Sequence, residues 1–188
     1  LQTSFLTPPM AAETEITGPV AAKLYVSSET TDADLFVVLR AFTPDMRELV
    51  YQGSNDPHTP VGLGWLRASH RKLDADRTLP YRPYHSHDEI QPLTPGAVYE
   101  LDIEIWPTSI VLPEGYRLGL SVRGRDYVWP GYEEGVSRIV AGRVYYGVGP
   151  FKHDLKGNRP TEIYGRKVTV HTGHDYPSHI LLPVIPAR

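Results

Sequence analysis

A chain of 188 residues with 40% apolar side chains is a natural size for one domain, long enough to bury roughly two thirds of its chain's surface without staples. Its 22 acidic and 19 basic residues give a net charge of −3, with no Lys/Arg block to neutralise phosphates, so nucleic acid is excluded as a partner. The absence of cysteine removes disulfide scaffolds, thiol catalysis and thiolate zinc sites but leaves the compartment open, and no apolar run approaches a membrane span.

The chain opens on Leu1, and its first ten residues lack the charged-then-apolar layout of a signal peptide; it reads as a piece of something longer. Alternation at Leu24 and Val26 predicts a half-buried strand, whereas Leu35 to Leu39 is continuously apolar and predicts a strand covered on both faces. In Leu101-Asp-Ile-Glu-Ile105 the aliphatic residues share one face and the acids the other. The same period of two returns at Leu118, Leu120 and Val122, and at Val168 and Val170. Asp126 and Tyr127 close the strand before them, as a turn-forming Asp and a buried tyrosine. Near the end, "HILLPVIP" is almost wholly apolar and suits a covered strand, with Pro183 marking an edge or bulge.

Eighteen prolines and sixteen glycines punctuate these runs, as in "LTPG" and "LPEG", and no amphipathic helix exceeds about three turns. Many short strands with such turns predict an all-β sandwich or jelly roll with long loops, in one domain over residues 1–188. Two long stretches, His70 to Pro95 and Tyr127 to Pro160, carry no strand pattern; connections this long pack on something or do something.

The first of these holds "PYHSHDE", Pro83 to Glu89, which suits a metal site, an acid/base pair or a polar loop. Enzyme motifs are otherwise absent: there is no phosphate loop, dinucleotide fingerprint or H-E-x-x-H. The nearest approach to a nucleophile elbow, "GLSVRG" at Gly119 to Gly124, is one residue too long and lies in an alternating strand, so Ser121 is expected to be a strand residue. His85, His87 and Glu89, followed by Gly96, resemble the metal motif of the cupins, a jelly-roll family. The match departs from that pattern: Glu89 follows the second histidine too closely, the preceding glycine is missing, and no second histidine segment surrounds "LPEGYRLGL".

Four blocks in order, "TEITGPVAAKLYVSSETTDADLFVVL", "GWLRASHR", "LTPGAVYELDIEIWPTSIVLPEGYRLGLSVRGRDY" and "HTGHDYPSHILLPVIP", resemble the C-terminal domain of the CocE/NonD hydrolases, the group of cocaine esterase and X-Pro dipeptidyl-peptidase. The resemblance implies a jelly roll similar to galactose-binding modules, following a catalytic α/β-hydrolase domain with a helical cap. It places the Ser-His-Asp triad in that first domain, so no catalytic, cofactor or metal residue carries over to this chain. The implied partner is the catalytic domain of the same parent, an acyl esterase or X-Pro peptidase. An accessory domain that packs on it and walls its pocket is thus one reading; a carbohydrate-binding module and a cupin-like metal enzyme are the others.

On the first reading Trp65 is an interface anchor or a core tryptophan of the sandwich, and an orphaned interface would favour homo-oligomers. His70, bracketed by Arg67, Arg71 and Lys72, is expected to be structural, since nearby cations lower its proton affinity. The loop around His85 and His87 is expected to drape over the sheet, its histidines bonded to Asp88, Glu89 or backbone. On the second, Tyr81, Tyr84, His85 and Trp129 would form the sugar platform.

Overall fold

The structure is a computed structural model that describes residues 2–53, 56–129, 139–140, 143–144, 147–149, 151–153 and 155–186. Two antiparallel sheets face each other. The first contains β1 (Gln2–Leu6), β3 (Asp34–Phe42), β4 (Glu48–Leu49), β5 (Gly62–Arg67) and β7 (Arg117–Arg123), in the order β1-β7-β3, with β4 and β5 sharing the far edge of β3. The second is built on β2 (Thr14–Ser28), which pairs along one edge with β6 (Tyr99–Leu112). Its other edge meets β10 (Val168–His171), β11 (His179–Leu181) and β12 (Val184–Ile185) in turn. A two-residue pair, β8 (Ile139–Val140) and β9 (Arg143–Val144), and a four-residue helix, α1 (Thr161–Tyr164), complete the described elements.

The period-two residues meet between the sheets. Val20, Leu24 and Val26 from β2, Leu101, Ile103 and Ile105 from β6, and Leu118, Leu120 and Val122 from β7 form one apolar cluster with Leu35, Val37 and Leu39 of β3. Each such side chain contributes about 1.5–3 kcal/mol on leaving water. Leu35 to Leu39 of β3 is apolar throughout because its outer face is covered too. Val38 and Leu63 pack there against Tyr127 and Val148, with Trp65 and Trp129 at the margin. Residues 127–129 and 147–149, in the stretch without strand pattern, thus lie against the outer face of the first sheet. Asp56, only 2% exposed, pins the second of these by accepting hydrogen bonds from the backbone N–H groups of Gly147 (2.6 Å) and Gly149 (3.1 Å).

Ser121 is a strand residue, buried in β7 and hydrogen-bonded to Ser4 Oγ (2.8 Å) and the Arg40 guanidinium (3.2 Å). Asp126 and Tyr127 lie just after β7, both buried, with the Tyr127 hydroxyl donating to Glu48 (2.8 Å). One strand expectation needs correction. "HILLPVIP" is not a strand covered on both faces: it is split into β11 and β12, and Leu181, Val184 and Ile185 stay exposed. Pro183 marks the split, its carbonyl accepting from Thr17 N (3.0 Å) opposite the register shift at Gly18.

The two sheets touch backbone to backbone at one corner, where β5 crosses β6. A Cβ on Gly64 would sit 2.4 Å from the Glu104 carbonyl oxygen, and one on Gly62 would sit 3.0 Å from the Ile105 side chain. Both glycines face inward, so only the missing side chain permits the crossing. Gly64→Ala is expected to lower unfolding stability by about 3 kcal/mol, the upper end of overpacking penalties. Gly124→Ala, with nothing within 4 Å of the added carbon, should leave it within about 0.5 kcal/mol. Denaturant midpoints at unchanged m-value check both; a Gly64→Ala midpoint equal to wild type would refute the crossing.

Candidate functional site

The β5–β6 corner opens outward into a cleft of about 790 Å³. Trp65 and Arg67 of β5 and Glu104 and Trp106 of β6 form its floor. His70 and the Tyr84–His87 loop flank one side, and the 152–159 segment flanks the other. The indoles of Trp65 and Trp106 meet edge to face (5.2 Å between centroids), and Phe151 packs edge-on against Trp106 (5.0 Å).

The buried carboxylate of Asp32 holds the wall beneath His70. It accepts from Ala33 N (2.8 Å), Ser69 N (2.9 Å), Ser69 Oγ (2.7 Å) and the Tyr164 hydroxyl (2.9 Å). Burial and this carboxylate together hold the Tyr164 phenol well above its ordinary pKa. Asp34 plays a similar part at the rim, bonded by the guanidinium groups of Arg67 and Arg159, each at 2.8 Å.

The histidine loop lies over the second sheet. His85 Nε2 donates to the Asp102 carbonyl (3.0 Å), a backbone bond of the expected kind. The other half of that expectation is corrected: His87 bonds neither Asp88 nor Glu89, because Lys72 takes both carboxylates at 3.0 and 3.2 Å. The His87 Nδ1 instead lies 3.4 Å from Nδ1 of His70. The cations bracketing His70 in sequence are also engaged elsewhere: Arg67 with Asp34, Lys72 with the acidic pair, and Arg71 with the carbonyls of Ala68 and Gln91, its guanidinium over the Tyr99 ring (4.6 Å).

The candidate residues thus divide. Trp65, His70, Tyr84, His85 and His87 line the cleft, while Arg71, Tyr81 and Trp129 do not. Trp129 stacks flat on His58 (3.8 Å, 5°) over the outer face of the first sheet, so the four-residue sugar platform does not assemble. Trp65 is half-buried and belongs both to the cleft wall and to the margin of the outer apolar cluster. Among the described residues, no three His, Cys, Asp or Glu side chains converge on one point, so the cupin-like set of His85, His87 and a third ligand is not formed.

Two arrangements escaped the sequence reading. His153 enters the cleft with its Nδ1 donating to buried Asp126 (3.0 Å), a pairing across 27 positions that no local motif announces. On the opposite sheet, Ser27 Oγ and His171 Nε2 lie 2.8 Å apart. No carboxylate bonds His171 among the described residues, and the pair stands on a sheet face outside both cavities. It lacks the orienting acid and oxyanion donors of a hydrolytic triad.

A second hollow of about 230 Å³ opens at the other edge of the first sheet, between β1 and β11. It is lined by Phe5, Leu6, Leu120, Ile180 and Leu182 and reaches the core side chains Leu24 and Leu39.

Comparison with known proteins gives a consistent picture. A model of the X-Pro dipeptidyl-peptidase C-terminal non-catalytic domain matches residues 2–181. The chain is 30% identical over 128 residues to a Mycobacterium tuberculosis protein whose name gives a serine esterase, covering 65% of this chain and 19% of that one. It is 26% identical over 183 residues to the cocaine esterase of a Rhodococcus, covering 97% and 25%. A CocE/NonD family hydrolase from Staphylococcus aureus superposes with a TM-score of 0.77 at 24% identity, over 98% of this chain and 30% of that one; this likeness speaks for the fold. The chain spans about a fifth to a quarter of the curated relatives it matches.

Burial holds the His85 imidazole below its ordinary pKa, so the fold prefers its neutral form. The unfolded chain takes up that proton near pH 6.5, whereas the folded chain resists it to lower pH. The stability His85 confers is therefore present above about pH 6.5 and lost as pH falls through that value towards the folded one. His85→Gln, which keeps a donor but cannot titrate, is expected to flatten the fall in unfolding free energy between about pH 7 and 5. Equal slopes for the two proteins would contradict this.

Proposed function

The chain belongs to the family of X-Pro dipeptidyl-peptidase C-terminal non-catalytic domains, and from that premise we propose that it is the accessory jelly roll of a longer serine hydrolase. In this reading it packs on and stabilises the catalytic α/β-hydrolase domain of the same parent chain and helps to wall its substrate pocket. The chemistry is supplied by the catalytic domain.

The observation that carries this reading is the unsealed edge between β1 and β11. Protein interiors are packed to near crystal density, yet here Leu24 and Leu39 of the main core open onto an apolar hollow. Around its mouth, Phe5 is 40% exposed and Leu6 48%. Such an edge is poorly suited to water and well suited to the apolar side chains of a covalently linked neighbour. In this reading that neighbour is the catalytic domain, a reading supported by the short span of this chain against its relatives. A domain seated by this edge presents its adjoining loops to the catalytic domain, which is how it would wall the pocket. Expressed alone, the chain would use the same edge to self-associate.

The native gene product is expected to be about three to five times longer than 188 residues, in proportion to the share of its relatives that this chain covers. Intact mass spectrometry of the product from its own host checks this, and a native protein of this chain's own size would overturn the reading. Within the longer protein, Phe5→Asp is expected to lower the melting temperature by several degrees more than it does in the separate 188-residue chain at a dilution where that chain is monomeric, because only the parent covers the exposed part of Phe5. Equal effects in both settings would place the interface elsewhere.

A further inference from the structure

The accessory reading leaves the histidines of the cleft without a task, and two of them meet in an arrangement that suits a metal ion. We propose that His70 and His87 form a divalent transition-metal site, binding a zinc-class ion through their Nδ1 atoms. Two imidazole nitrogens on a tetrahedral zinc, each about 2.0–2.1 Å from the ion, stand about 3.3–3.4 Å apart. In this structure the two Nδ1 atoms are 3.4 Å apart. That is the long end of an N–H···N bond, and it matches the edge of a metal tetrahedron.

Both rings are held from behind. His70 ends the 3-10 turn Ala68–His70, whose Ser69 N–H and hydroxyl are tied to the Asp32 carboxylate and whose Ala68 N–H donates to the Ala33 carbonyl (2.8 Å). On the facing loop, Ser86 N–H donates to the Lys72 carbonyl (3.1 Å), and the Ser86 hydroxyl donates to Asp88 (2.5 Å). Between them His87 adopts φ +54, a left-handed conformation that a non-glycine residue seldom holds. That turn is what brings its ring within 5.5 Å of His70, centroid to centroid.

The donor set decides the class of ion. Asp88 and Glu89, which would attract magnesium or calcium, are held by Lys72, leaving two imidazole nitrogens, donors that suit zinc, copper or nickel. His85 stands apart, its ring 6.1 Å from that of His87 and its Nε2 engaged with Asp102. With two protein ligands, the remaining positions face the cleft, open to solvent or to a donor atom of a molecule bound there.

The test is calorimetric titration of the chelator-stripped 188-residue chain with Zn²⁺, alongside imidazole NMR to identify the ligands. One saturable equivalent is expected, with the His70 and His87 resonances shifting together and no response to Mg²⁺. His87→Gly, which suits the left-handed backbone, and His70→Ala should each weaken binding at least tenfold with the fold intact by circular dichroism. His174→Ala, at a fully exposed histidine elsewhere, should leave affinity unchanged. Absence of saturable binding, or binding undiminished in His87→Gly, would overturn the proposal.

Discussion

The crossing of β5 over β6 sets the shape of everything around it. Because Gly62 and Gly64 carry no side chain, the two sheets close to backbone contact at that corner, with the Glu104 carbonyl in the space a Cβ would take. Sheets ordinarily pack about 10 Å apart, so a corner this tight tilts one across the other. At the pinched edge the outward residues of the two strands, Trp65 and Arg67 with Glu104 and Trp106, splay into the floor of the cleft. At the far edge, beyond β7 and β1, the sheets fail to seal and the core opens towards β11. One polar, aromatic cleft and one apolar opening thus stand at opposite edges of the same sheet.

The two edges differ in what they can accept. At the cleft two carboxylates are fully bonded: Asp32 by Ser69 and Tyr164, and Asp34 by Arg67 and Arg159. Buried carboxylates bonded this fully rigidify their surroundings, and removing one partner would leave an unsatisfied charge. The opening between β1 and β11 has no comparable network among the described residues and exposes large apolar side chains, the usual mark of a surface meant to be covered. On the proposed reading, the domain would contact its catalytic neighbour on the apolar side and keep a preorganised cleft on the other.

Much of this fold was legible in the sequence because burial and period are local properties. Leu101, Ile103 and Ile105 alternate with acids and are buried as that alternation requires. Leu35 to Leu39 is apolar throughout because β3 is covered twice, although what covers its second face could not be read from β3 itself. The family resemblance rested on blocks that coincide with β2, β3, β5, β6 and β7. The site was less legible. Gly64 looks like any strand glycine until the partner strand is known. His153 and Asp126 are 27 positions apart, as are no motif's fixed offsets, and Trp129 finds His58 rather than Tyr84. "PYHSHDE" drew attention to the right loop, but its apparent pairing of histidines with neighbouring acids was misleading: Lys72 claims the acids and His70 the second histidine. Which groups meet across a loop depends on backbone turns, such as the left-handed one at His87, that residue type barely signals.

Hydrogen exchange compared between the 188-residue chain and its longer parent tests the central claim most directly, because it reports which edge is covered. The account predicts added protection in the parent at β1, residues 2–6, and at residues 179–182, with the exchange of the cleft loop at residues 83–91 unchanged. Protection confined to the cleft loop and the 151–159 segment, with β1 and β11 exchanging alike in both proteins, would contradict it.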